Sequence, residues 1–279
     1  MPFYQCTSVI IHLHPSPFRA PAERPFLVAA VVAGFAALRI SSTWKEHIPR
    51  DDALRVPSRA CLAGLRALLR DPRVCFLGLL QALFESAMYA FVFLWTGSVD
   101  VENTEGWHPP LGLIFGCFML AIMGGSSLMR AAQTGGWPVP SLLRIAILGA
   151  AASLGCGMLT TSAPVLFLAF VLFEGCCGIY LPAVGILRAQ LLPEHYRAAI
   201  MGWLRVPLNM IVIIFLLIVG DWSHSVLFGV CCFLCLLALA SLTVLTRLLD
   251  DASVKSLGGD GQSGSGDTWL LKRNLMLAV

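Results

Sequence analysis

The sequence predicts an all-α membrane protein with seven transmembrane helices, and three observations carry that reading. Of its 279 residues 57% are hydrophobic and only 13% charged, about half the charge of an ordinary soluble domain, and its mean hydropathy is +0.79. The apolar residues gather into runs long enough to cross the hydrocarbon core of a bilayer, which takes about 20 helical residues. The basic residues recur on every second connection between those runs. This composition excludes a soluble enzyme, and the sequence contains no nucleotide-binding loop, metal box or catalytic triad.

Residues 1–24 hold Pro15, Pro17 and Pro21, with no long apolar core and no basic start, so they read as an unplaced segment rather than a secretory signal. His12 and His14 form a pair without further ligands, a loop feature. The first span, residues 25–41, is short. A basic connection, 42–73, follows it, with Lys45, Arg50, Arg55, Arg59, Arg66, Arg70 and Arg73. The second span covers 74–97, and the next connection, "GSVDVENTEGWHPP", carries Asp100, Glu102 and Glu105 but no Lys or Arg. Spans over 111–130, 141–160, 163–187, 199–220 and 224–248 complete the set, and the Gly/Ser-rich tail in 250–279 reads as flexible.

Lys and Arg stay preferentially on the cytosolic side of a membrane. Sixteen of the nineteen basic residues fall on alternate connections, including Arg130 and Arg144, then Arg188 and Arg197, then the tail. "TTSAP" and "GDWSH" have none. The expected topology therefore places the N-terminus outside and the C-terminus in the cytosol, in a multi-pass protein of the cell membrane.

Eight of the ten cysteines lie in apolar runs, where they act as small packing residues. Cys232 and Cys235 form a CxxC inside a span, and packing is the reading there too. Ionisable groups inside a span cost roughly 2.5–3.5 kcal/mol each on insertion scales, so they face a cavity or a partner. Gln81, Glu85 and Tyr89 recur at spacing four and share a helix face. Glu174 is equally deep. Arg205 lies about 9 Å into its span by helical rise, with Asn209 one turn beyond. Two readings stay open. The glutamates either pair with Arg205 and fix packing, or line a cavity; Arg205 either snorkels to the interface or binds an anion beside the backbone loosened by Pro207. Tyr89, Tyr180 and Trp203 read as packing or interface anchors. Gly124, Gly125, Ser126 and Ser127, with Gly175 and Gly178, suggest close helix approach, and Pro182 a kink.

The stretches "LLQALFESAMYAFVFLWT", "FEGCCGIYLPAVGILRAQLLPE" and "GWLRVPLN" resemble the C-terminal half of a major facilitator superfamily transporter, nearest to the eukaryotic molybdate-anion transporters. The resemblance runs from about Arg24 to Leu249. It implies that the first span corresponds to the family's sixth helix, the loop 42–73 to its central cytosolic connection, and 74–249 to the C-terminal six-helix half. Gly97 stands where that family leads one to expect proline. The first five helices are missing, and in this superfamily the substrate site lies between two halves that rock against each other. The chain is therefore expected to be a truncated half: either one wall of an oxyanion transporter, or a non-transporting half protein acting as a scaffold, a partner of an N-terminal half or full-length relative, or a non-functional product. In the transporter reading Arg205 offers a bidentate fork to molybdate or a similar dianion, and Asn209, Gln81 and Tyr180 add donors. A carboxylate facing an oxyanion repels it unless protonated, so Glu85 and Glu174 are cast as proton carriers or as partners holding Arg205. No cofactor, metal or nucleic acid is implied. A receptor with the same topology fits badly, because the short outside connections lack a cysteine pair and room for a ligand vestibule.

Overall fold

The computed structural model describes residues 24–44, 57–99 and 110–259, and all regular structure in them is helical. His12 and His14, the acidic connection and the Gly/Ser-rich tail lie outside these residues. The chain divides into two units, the first ending at Arg55. In the first unit, α1 spans Arg24–Thr43. It is apolar around its whole circumference, as suits a helix whose solvent is lipid, and the Ser41, Ser42 and Thr43 hydroxyls donate back to the Leu38 and Arg39 carbonyls at its end.

The second unit opens with a helix that the sequence reading left inside a connection. α2, Pro57–Arg70, is too short and too charged to span, but it is strongly amphipathic. It ends at an elbow built by three successive residues. Asp71 caps the next helix by accepting the Arg73 N–H at 2.9 Å, Pro72 occupies the first helical position, where a missing N–H costs nothing, and the Arg73 guanidinium returns to Asp71 at 2.9 and 3.1 Å.

Six long helices follow: α3 Pro72–Val99, α4 Leu111–Thr134, α5 Val139–Leu159, α6 Ala163–Leu191, α7 Arg197–Ile218 and α8 His224–Gly259. With α1 they make seven helices long and apolar enough to cross a membrane. Each overlaps one predicted span closely, except that α4 and α6 each run four residues beyond their predicted ends at 130 and 187 and α8 continues to Gly259. α3 is the central helix and packs against α8, α7 and α6; α5 sits against α8 and α6, and α4 against α6.

Small residues set the close approaches. A Cβ on Gly125 would strike the Gly175 carbonyl and one on Gly178 the Ile122 carbonyl, so α4 and α6 cross backbone to backbone. Gly124, in the same cluster, faces open space. Pro182 lies inside α6 and lacks the N–H that would have bonded the Gly178 carbonyl. Ser126 Oγ from α4 fills that vacancy at 2.9 Å, so the close crossing also repairs the proline's defect. α6 continues past it unbroken. The core is aromatic where α3, α4 and α6 meet: Phe91 packs against Phe118, Phe170 and Phe173 with ring centroids 4.6–6.1 Å apart. Cys232 donates its thiol to the Ala151 carbonyl and Cys235 is fully buried, both in packing positions. Gly136, with φ of 81°, makes the tight turn between α4 and α5.

Candidate functional site: a polar cluster inside the helix bundle

Charged and polar side chains from α3 and α6 come together inside the bundle, between the middle of α3 and the last turn of α6, with Arg205 of α7 nearby. Glu85, in the fourth turn of α3, accepts from Arg188 Nη2 of α6 at 3.0 Å, with side-chain exposures of 17% and 23%. This pair corrects the sequence reading in two respects. The sequence places Arg188 in a connection, but α6 extends to Leu191 and carries Arg188 in its last turn. And the partner of Glu85 is Arg188 rather than Arg205. The reason is geometric. α7 meets α3 through Leu204, which lies against Gly78, and Leu208, whose carbonyl receives Ser86. Arg205 is 100° further round that helix, turned to the exposed side together with Asn209.

Gln81 and Tyr180 are both buried and stand beside the Glu85 carboxylate, within whose field Arg205 also falls. The Tyr180 ring stacks on Phe84 with centroids 4.1 Å apart, which fixes its hydroxyl at this level of the bundle. Among the described residues four buried side-chain polar atoms lack a hydrogen-bond partner. Three of them, Gln81 Oε1, Tyr180 Oη and Arg188 Nε, belong to this cluster. Orphaned buried groups are rare because each costs about 1–3 kcal/mol, and here the Glu85 carboxylate lies close enough to Gln81 and Tyr180 to act on both. The stripe expected along α3 is graded: Gln81 is buried, Glu85 partly exposed, and Tyr89 open on the surface.

Glu174 lies nearly four turns before Arg188 on α6, on the same face within about 40°. It is partly exposed and has no ion-pair or hydrogen-bond partner among the described residues. Leu181 and Gly185 continue this exposed face, while Leu168 and Leu172 are exposed on the opposite one. Two such faces are what a helix needs if one side meets lipid and the other a polar space. Arg188 was the residue missed from sequence. The signal was available in its fourteen-residue spacing from Glu174, which puts both on one side of an unbroken helix.

The sequence matches, over residues 12–176, a major facilitator family described as sugar transporters with twelve transmembrane segments. That is more than half of the chain. The chain belongs to this family. It is a family of transporters, not of enzymes, and the seven apolar helices make this member a multi-pass membrane protein. Similar curated proteins carry the name molybdate-anion transporter. One from Xenopus tropicalis is 38% identical over 249 residues, covering 84% of this chain and 53% of that protein. One from Danio rerio is 42% identical over 177 residues, covering 60% and 35%. The chain thus spans about half the length of the Xenopus relative it matches.

Proposed function

We propose that this chain supplies one wall of the substrate cavity in a secondary transporter for a tetrahedral oxyanion of the molybdate type, working by alternating access in the cell membrane with its C-terminus in the cytosol. The observation that carries the reading is the charge balance of the cluster. Arg188 meets Glu85 at 3.0 Å, while Arg205 lies in the field of the same carboxylate but makes no ion pair among the described residues. A sugar needs neutral donors and acceptors; an unpaired guanidinium at the edge of an apolar bundle suits an anion. The names of the relatives point to the same class of substrate.

In this reading Arg205 grips the dianion through two parallel N–H bonds, and Asn209, one turn on, donates its amide. Gln81 and Tyr180 supply the donors deeper in the cluster. Glu85 holds Arg188 in place, and Glu174, a carboxyl without a partner, takes up or releases a proton as the cavity changes side. Sulfate shares molybdate's shape and charge, so competition between the two sets the selectivity.

The test is molybdate uptake by transport-deficient cells expressing the chain alone, beside the chain fused to the N-terminal half of a relative, with membrane insertion checked in both. Arg205→Ala should abolish the uptake of whichever form is active without lowering its surface level. Normal uptake by that variant removes Arg205 from the site. A second reading, a non-transporting half protein that pairs with another chain, is favoured by the exposure of Tyr89, Arg205 and Asn209 on the unit's surface. It requires that neither form take up the anion although both insert, whereas uptake only in the fusion supports the one-wall reading.

A further inference from the structure

The amphipathic helix α2 has a surface that the transport reading does not use. Its inward face is fixed by three contacts: Trp203 Nε1 of α7 donates to the Cys61 carbonyl at 2.9 Å, Gly64 abuts Ala199, and Cys75 Sγ of α3 donates to the Leu68 carbonyl at 3.0 Å. With that face held, Leu62, Arg66, Leu69 and Arg70 fall within about 100° of one another on the outward side. Leu62 is 48% and Leu69 69% exposed, and Arg66 and Arg70 are exposed beside them. The helix contains no acidic residue. Alternating leucines and arginines on one outward face are the composition of a helix lying in the headgroup layer, with leucines among acyl chains and guanidiniums on phosphates.

Arg70 also borders a recess of about 510 Å³ at the elbow between α2 and α3, whose other walls include Arg73, Leu248 and Asp251. Asp71 lies there too, but its carboxylate is taken by Arg73, which holds it below the usual carboxylate range. That leaves Arg70 as the cation available to a ligand, and Asp251 as the acid that a purely anionic headgroup would meet unfavourably. A headgroup with net negative charge and an ammonium answers both.

We propose that α2 and this recess form a docking site for an anionic aminophospholipid of the phosphatidylserine type, in the leaflet that faces the basic connections. The site rests on the reading of that end as cytosolic only for which leaflet supplies the lipid.

The purified full chain is equilibrated in micelles of phosphatidylcholine containing equal small amounts of phosphatidylserine and phosphatidylglycerol, and the retained lipids are counted by native mass spectrometry. Phosphatidylserine should be retained above both others. Each arginine near a membrane surface contributes about fivefold to such partitioning, so Arg66→Gln with Arg70→Gln should lower retention roughly 25-fold. Arg66→Lys with Arg70→Lys should keep most of it, which shows that the helix still folds. Arg144→Gln, a single cation of the same side away from α2, should lower retention by no more than about fivefold. Asp251→Asn should erase the preference for serine over glycerol headgroups while leaving total anionic lipid intact. Undiminished retention by the double glutamine variant, or an equal loss with Arg144→Gln, overturns the proposal. Equal retention of the two anionic lipids by the unaltered chain overturns the part assigned to Asp251.

Discussion

Removing one member of the Glu85–Arg188 pair tests whether the cluster is a single electrostatic unit. Breaking a fully buried ion pair costs about 3–5 kcal/mol, chiefly from the charge left behind, and exposed pairs are worth about 0–1. At 17% and 23% side-chain exposure the pair lies nearer the buried limit, and about 2 kcal/mol is the discounted figure. The two single variants should not be equal. Glu85→Gln strands Arg188, whose Nε already lacks a partner, and should cost the full amount, roughly 30-fold in the folding equilibrium. Arg188→Met leaves Glu85 still in the field of Arg205, and should cost about half as much. The double variant strands no charge, so its loss should fall well short of the sum of the two single losses. The assay is unfolding of the purified full chain in mixed micelles of rising SDS fraction, followed by helical circular dichroism. Additive losses, with a coupling below about 0.5 kcal/mol, would refute the claim that the two residues act as a unit.

Two further outcomes follow from local geometry. Ser126→Ala should destabilise the chain by about 1 kcal/mol, because Pro182 cannot satisfy the Gly178 carbonyl that Ser126 now reaches. In a Pro182→Ala background, where the backbone N–H returns, the same change should cost almost nothing; an equal cost in both backgrounds argues against the repair. At the elbow, Asp71→Ala should cost about 1 kcal/mol through the lost cap, whereas Asp71→Asn should keep the cap and lose the Arg73 ion pair with its pH dependence. Because Arg73 lowers the Asp71 pKa on folding, this contribution is present above the unfolded value and vanishes as pH falls through the folded one, below about pH 4. Unfolding titrations at pH 3 and pH 7 separate the two variants.

The sequence by itself determined the solvent of this protein, and with it most of the architecture. Hydrocarbon cannot satisfy a backbone N–H or C=O, so each apolar run of sufficient length had to be a helix, and α3 to α7 stand within a few residues of where hydropathy puts them. The glycines of α4 and α6 announced a close crossing for the same kind of reason, since only a missing Cβ lets two backbones touch. What hydropathy does not encode is rotation about a helix axis. Glu85, Glu174 and Arg205 were legible as membrane-embedded charges, but which carboxylate meets which guanidinium depends on how α3, α6 and α7 turn their faces. Gly78, Leu204 and Leu208 decide that for Arg205. Arg188 escaped because the polar residues near the end of α6 resemble a connection, and only its packing beside Glu85 shows that the helix carries it inside. α2 escaped for a related reason: its apolar face is too narrow to register as a span, and it becomes a defined element only once α7 offers Ala199 and Trp203 for it to rest on.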